Sequence, residues 1–305
     1  MNWFFITFFI FFAKALSLEP SFLQQEETKH KDFFSLFYET FETGNLILLE
    51  KSNNTTYLLL DATNTPRFIL KPVDEKNSNE FSDRSARIRR NIPSYQTAQT
   101  EAFCYELAIL CDLQHITPQT FVTQISFPTD PFCTKLCSIQ TYLQDTLSLH
   151  FVLEHLFSWG LDESMLEQSF EFSDFEDISL FLWLVHDTDA HPNNFRVLPK
   201  HKLLNGLFSY GIQKIDNGLC FPEKNTDFSL FFSTFPHAEK PLSERIRKKI
   251  QSLPLQKIEQ RLQEFSLSSR IPAFLERAHL LQQASEKNSI TYSEISHLIS
   301  EINID

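Results

Sequence analysis

Glycine is scarce: the 305 residues contain five. Many phosphate-binding loops depend on glycine for close backbone approach, and no GxxxxGK[ST] segment occurs, which removes the Walker-type route to a nucleotide site. Basic charge is also short. Twenty-seven Lys and Arg stand against 39 Asp and Glu, a formal net charge of -12. Such a balance lacks the positive footprint of nucleic-acid binding and argues against broad contact with an anionic membrane. Two local clusters run against it: Arg84, Arg87, Arg89 and Arg90, and Arg245, Arg247, Lys248 and Lys249. Each reads as a solvated helix or loop face. Zinc-finger spacing is absent as well. Cys133 and Cys137 stand four apart, but no second pair or histidine completes a metal pattern. Cys104, Cys111, Cys133, Cys137 and Cys220 read as buried thiols, with a Cys133–Cys137 disulfide left open for an exported chain.

What the chain has in quantity is phenylalanine, 32 residues, enough to supply much of a core. The length suits one two-lobed domain or two small ones. Trp3 to Phe12 is an almost unbroken apolar run, followed by Ala13-Lys14-Ala15. Residues 1–17 therefore read as a secretory signal and cleavage site, and the protein as exported. The run is too short to span a bilayer as a helix, though an uncleaved N-terminal anchor is the alternative. Residues 18–44 form an extension ahead of the first strands.

From residue 45 the pattern is β-rich. Asn45 to Glu50, Thr56 to Asp61 and Arg67 to Lys71 are short apolar runs separated by polar turns, the signature of a three-stranded antiparallel meander. Residues 74–95 read as a loop. Thr100 to Gln114 has helical spacing, with Phe103, Leu107 and Leu110 on one face and Pro118 beyond its end. Phe121 to Phe127 and Lys135 to Leu143 read as two further strands. After about residue 145 the pattern turns helical over 148–157, 177–185, 242–252, 254–265, 270–285 and 292–303. A short strand pair, 195–198 and 208–215, interrupts it. The expected fold is α+β and bilobal, a β-rich lobe with one main helix at 45–145 and a mostly helical lobe at 146–305. A cleft between two such lobes is a natural ligand site.

Chemistry concentrates in His186 to Phe195, HDTDAHPNNF. Asp189 and Asn194 stand five apart, the D-x-x-x-x-N spacing of a kinase catalytic loop. There the Asp orients or deprotonates the attacking hydroxyl, and the Asn oxygen reaches a metal ion. His191 reads as a residue that orients this loop. Asp216, in Lys214-Ile215-Asp216-Asn217-Gly218, ends an apolar strand before a glycine-permitted turn and is a candidate metal ligand. Mg2+ prefers hard oxygen donors, so Asn194 and Asp216 suit it, with Mn2+ as an alternative. Lys71 ends the third strand and can neutralise nucleotide phosphates, with Glu101 on the following helix as its ion-pair partner. Singly, each feature is common in loops and strand ends. Together they stand in the chain order of a Mg-ATP-dependent phosphotransferase.

These residues resemble the phosphatidylinositol 3-/4-kinase family, in particular its type II 4-kinase-like branch. RFILKPVDEKN is similar to the branch's ATP-lysine region. In IRRNIPSYQTAQTEAFCYEL, Glu101 and Tyr105 match the Glu and Tyr of its Arg-Glu-x-x-x-Tyr helix. TPQT resembles its V-P-x-T turn, and CSIQTYLQD the segment entering the hinge. LVHDTDAHPNNF resembles its N-T-D-R-H-x-x-N loop, and KIDNGLCFPE its I-D-x-G-x-x-x-P metal segment. The resemblance implies a protein-kinase-like bilobal fold, ATP as donor, Asp189 as the catalytic residue, Lys71 and Glu101 at the nucleotide, and Asn194 and Asp216 at the metal. It also implies that Ser52, Asn53, Asn54 and Thr55 cover the phosphates. Two departures stand out. The cover loop has no glycine, and the catalytic loop carries Asp187 and Ala190 where the branch has Asn and Arg. The implied acceptor is a hydroxyl on a phosphoinositide lipid or a protein, with peripheral membrane contact in the lipid case. A catalytically weak pseudokinase that binds nucleotide or a partner is the alternative, and an unrelated α+β domain with accidental motifs is the third reading.

Overall fold

The computed structural model describes residues 18–49, 55–73, 91–127, 134–158, 160, 163–203, 208–226 and 228–302. The expected signal (1–17), the disulfide partner Cys133, the cluster Arg84 to Arg90, most of the 74–95 loop, and Ser52, Asn53 and Asn54 lie outside them. The architecture is α+β. The described residues begin with two helices, α1 (Pro20–Lys29) and α2 (Lys31–Thr43), where the sequence suggests only an extension. Phe34 and Phe37, three apart on α2, are buried against the sheet, the i, i+3 stripe of an amphipathic helix. Gly44 then turns the chain into β1. A Cβ there would lie 1.9 Å from the Leu60 carbonyl oxygen and 2.6 Å from that of Thr40, so only glycine fits.

The meander follows as expected: β1 (Asn45–Leu48), β2 (Tyr57–Leu60) and β3 (Pro66–Pro72), each antiparallel to the next. Helix α3 (Thr97–Leu110) comes next, and then β4 (Thr120–Ser126) and β5 (Thr134–Thr141). They complete a five-stranded antiparallel sheet in the order β1-β2-β3-β5-β4, with Lys71 opposite Ser138. Helix α3 starts three residues before the expected Thr100 and ends at Leu110, with a separate 3-10 turn at Gln114–Ile116. It does not bury a single face. Every residue from Ala98 to Ala108 is buried, because the helix lies between two separate apolar clusters. Tyr105 joins the cluster of α2 and the sheet, while Phe103, Cys104 and Leu107 join the larger cluster of the helical part. A helix buried all round has no polar face to mark its rotation.

The remaining α-helices among the described residues are α4 (Leu149–Ser158), α5 (Glu163–Ser169), α6 (Phe172–Val185), α7 (Glu244–Gln251), α8 (Leu255–Glu264), α9 (Ile271–Ser285) and α10 (Tyr292–Ser300). A second sheet of three antiparallel strands, β6 (Leu147–Ser148), β7 (Phe195–Lys202) and β8 (Phe208–Lys214), lies among them. Helix α10 begins with a capping box, in which Thr291 accepts from the Glu294 N–H and Glu294 accepts from the Thr291 N–H. The basic cluster at 245–249 is not a simple solvated face. Arg245 pairs with Glu176 and Asp177, Arg247 donates to the carbonyls of Ser285 and Lys287, and Lys249 donates to the Asp112 carbonyl. Lys248 alone of the four keeps an exposed i, i+4 partner, Glu244. Cys104, Cys111, Cys137 and Cys220 are buried free thiols, and burial pushes those of Cys111 and Cys137 up to about 12. Among the described residues no helix is long and apolar enough to cross a membrane.

Candidate functional site

Four structural elements deliver the candidate residues. Lys71 lies one residue from the end of β3. Glu101 occupies the second turn of α3. Asp189 and Asn194 follow α6, and Asp216 follows β8. The side chains of Lys71, Glu101 and Asp216 converge. Lys71 Nζ donates to Glu101 Oε1 at 2.6 Å and to Asp216 Oδ1 at 2.9 Å. The ammonium thus joins the sheet, the main helix and the post-β8 loop at one point. Glu101 is nearly fully buried, with 3% of its side chain exposed, whereas Asp216 is half exposed. The electrostatics follow from this geometry. Burial alone would lower the Lys71 pKa, but Asp216 and Glu101 outweigh it and hold the ammonium above its ordinary range. The same ammonium keeps the Asp216 carboxyl well below the usual carboxylate range. Glu101 moves the other way, raised by burial despite Lys71.

The catalytic-loop candidates form the second half of the site. Helix α6 ends at Val185, and His186 takes a left-handed conformation with φ 48°. That reversal sends the chain out of the core into the polar loop. The Asp189 N–H donates to Asp187 Oδ1 at 2.9 Å, and the Asp189 carbonyl accepts from the His191 N–H at 2.9 Å. Asn194, in the 3-10 turn Pro192–Asn194, donates its amide to the Asp189 carbonyl at 2.9 Å and lies 3.4 Å from Asp189 Oδ2. Its side-chain oxygen is not used in these bonds. His191 is expected to orient this loop; its ring Nε2 lies 3.7 Å from Asp189 Oδ2, while its backbone N–H bonds the Asp189 carbonyl. Burial raises the Asp189 pKa; His191 opposes the shift, and the charges of Asp187 and Asp216 add to it.

The two loops are laced together. The Ile215 N–H donates to the Asn194 carbonyl at 2.9 Å, the Thr188 N–H to Leu219 at 3.3 Å, and the Phe221 N–H to Val185 at 2.6 Å. Asn217 donates to Thr117 Oγ1 at 3.2 Å, linking the metal-loop motif to the Thr-Pro-Gln-Thr turn. Gly218 does not serve as the permissive residue expected of it. The left-handed residue is Asp216 itself, with φ 59°, and a Cβ at Gly218 would meet Glu101 Oε1 and Thr97 Cβ at an ordinary 3.5 Å. Aspartate is among the few side chains that adopt this conformation readily, because it bonds its own backbone locally. Thr55 is exposed just ahead of β2, and its three neighbours in the expected phosphate cover lie outside the described residues.

Sequence reasoning missed two residues here. Lys214 and Asp187 form an ion pair at 2.9 Å, with both side chains at 0% exposure. A strand-end lysine carries no local sign that it is buried, and the only hint was an acidic residue two positions before Asp189. With this pair included, two ammonium groups face four carboxylates, Glu101, Asp187, Asp189 and Asp216. The excess negative charge and the hard oxygen donors of Asp216 and Asn194 match the preference of Mg2+. A second acidic group, Glu26, His30 and Glu106, also has metal-compatible spacing. Arg261 already lies within it, 2.9 Å from Glu106 and 2.8 Å from Glu26, which makes it an ion-pair hub instead. Compared with known proteins, the chain matches no family model, and no curated protein sequence matches it.

Proposed function

We propose that this protein is a Mg-ATP-dependent phosphotransferase with a bilobal, protein-kinase-like fold, acting on a hydroxyl acceptor. The observation that carries the reading is the junction at Lys71. One ammonium from a strand is held by a helix carboxylate, Glu101, and reaches the carboxylate of Asp216, within the electrostatic reach of Asp189. Three residues nominated from the sequence, Lys71, Glu101 and Asp216, meet at one place, and Asp189 feels the charge of Asp216. In this reading Glu101 fixes the Lys71 ammonium where nucleotide phosphates dock. Asn194 and Asp216 would hold Mg2+, which supplies charge neutralisation on the phosphates. Asp189 accepts the proton of the attacking hydroxyl as its oxygen forms the new bond to the γ-phosphorus and the bond to the departing ADP breaks. Partial burial, which raises its pKa, makes Asp189 a better base than an exposed aspartate. The acceptor, a phosphoinositide headgroup or a protein side chain, belongs to the same proposal, as does export through the N-terminal segment.

A pseudokinase is the second reading, favoured by Ala190. It is buried in the main core, so the loop lacks the arginine charge of the family it resembles. Calorimetry separates these readings from an unrelated domain. Magnesium-dependent ATP binding is expected for wild type. Lys71→Met should weaken it about 10- to 100-fold, the worth of a charge-assisted contact. No heat of binding with wild type at millimolar ATP and Mg2+ would reject both nucleotide readings.

A further inference from the structure

Lys214 is a lysine with no access to solvent, next to a proposed metal ligand, and nothing in the phosphotransferase reading uses it. Its ammonium has three hydrogens to place. Two carbonyls accept from it, that of Ile215 at 2.6 Å and that of Asp216 at 3.1 Å, and Asp187 Oδ2 lies 2.9 Å away as its ion-pair partner. The Phe195 ring lies beneath it, 5.4 Å away at its centroid. Its side chain has 0% exposure and its ammonium is held by these three groups, so Lys214 is not placed to bind a phosphate. Asp187 is equally committed. One oxygen faces Lys214, and the other accepts from the Asp189 N–H at 2.9 Å. The backbone of Asp187 is also engaged, accepting from Ser229 at 3.3 Å.

We propose that Asp187 and Lys214 form a buried positioning pair that locks the loop bearing Asp189 and Asn194 to the loop bearing Asp216. The inference deepens the phosphotransferase reading and rests on it for its catalytic consequence. On one side the carboxylate holds the Asp189 backbone. On the other the ammonium holds the two carbonyls that flank the Asp216 N–H, and so helps fix the left-handed backbone that aims the Asp216 carboxylate. The pair bears on the departure at position 187 of the catalytic loop. The branch it resembles has Asn and Arg at positions 187 and 190. Here position 187 carries a negative charge, balanced by Lys214 from β8. Removing one partner strands a buried charge, whereas removing both does not. That asymmetry separates a coupled pair from two independent core residues.

The test is a cycle of Asp187→Asn, Lys214→Met and the double variant, read in two ways on the full chain. The first is amide hydrogen exchange without nucleotide. Each single variant is expected to raise exchange about tenfold or more in both segments, 186–195 and 214–221, and the double variant to restore much of the protection. The second is Mg-ATP turnover. Each single variant should lower kcat about 100-fold with a smaller change in KM, and the double variant should recover at least about tenfold of that loss. Exchange confined to the substituted segment, or a double variant as impaired as the two losses combined, overturns the pair. Should both single variants fail to fold, a folded double variant supports the coupling and an unfolded one overturns it. A wild-type chain without Mg-ATP activity would end the phosphotransferase reading, while the exchange cycle would still decide whether the two loops are locked.

Discussion

At the scale of single residues, the site depends on side chains held in conformations or ionisation states that water would not favour. His186 is the clearest case outside the reacting groups. It is fully buried at the left-handed end of α6, with Nε2 2.9 Å from the Thr226 carbonyl. Burial, reinforced by the charge of Arg277, lowers its pKa to about 3. The folded chain therefore keeps the ring neutral where the unfolded chain, near 6.5, binds a proton. Stability from this group is fully present above pH 6.5 and is lost as the pH falls toward 3, with a slope of up to about 1.4 kcal/mol per pH unit. Thermal unfolding between pH 7 and pH 4 should show the loss. His186→Asn, which tolerates the left-handed backbone, should flatten the profile. An unchanged pH slope in that variant would assign the loss to other groups.

At the scale of elements, the strands were legible and the helix boundaries less so. The meander β1-β2-β3 is announced by apolar runs between polar turns, while the shift of register between Leu59 and Leu60 against β3 is not. Lys71, Asp189, Asn194 and Asp216 could be named because each sits at the end of an apolar run or within a dense polar loop, and Glu101 because it lies early in the helix that follows the Lys71 strand. Helix α3 was recognisable, but its start was not, because a helix buried on every side has no hydrophobic stripe to count from. The helices α1 and α2 were passed over as an extension, although Phe33, Phe34, Phe37 and Phe41 recur at helical spacing. Phe33 and Phe37 both pack edge-on against Phe68 of the sheet. The Asp187–Lys214 pair was not legible because it is a contact across the fold, and neither residue alone departs from a loop or strand end. The α2–β1 junction gives the element-scale prediction. Gly44→Ala places a methyl against two carbonyl oxygens and should cost about 1–3 kcal/mol. Urea unfolding measures this, and a loss below the error of the method would mean that the turn can shift.

At the scale of the whole molecule, the two apolar clusters share one helix, α3, and charge networks tie the outer elements to it. Arg261 on α8 bridges Glu26 on α1 and Glu106 on α3, whose carboxylates are nearly buried. On the other side Arg270 donates to Thr100 Oγ1 at 2.7 Å and to the Cys220 carbonyl at 3.1 Å, linking α3 to the loop of Asp216. The helix that carries Glu101 is thus held at two positions along its length, Thr100 and Glu106. Arg261→Ala would leave two buried carboxylates without their main cation and should destabilise the chain by about 3–5 kcal/mol. A change under about 1 kcal/mol in denaturant unfolding would show instead that Lys29 and solvent replace it.

The central claim is that this junction transfers a phosphoryl group. It is tested most directly by following magnesium-dependent γ-phosphate transfer from ATP, with phosphoinositides and a generic protein acceptor side by side, in wild type and Asp189→Ala. The account predicts transfer to one acceptor class and a loss of about 100- to 10,000-fold in Asp189→Ala, with ATP binding retained. Transfer that is equal in the two proteins, or absent from wild type with every acceptor, would contradict it.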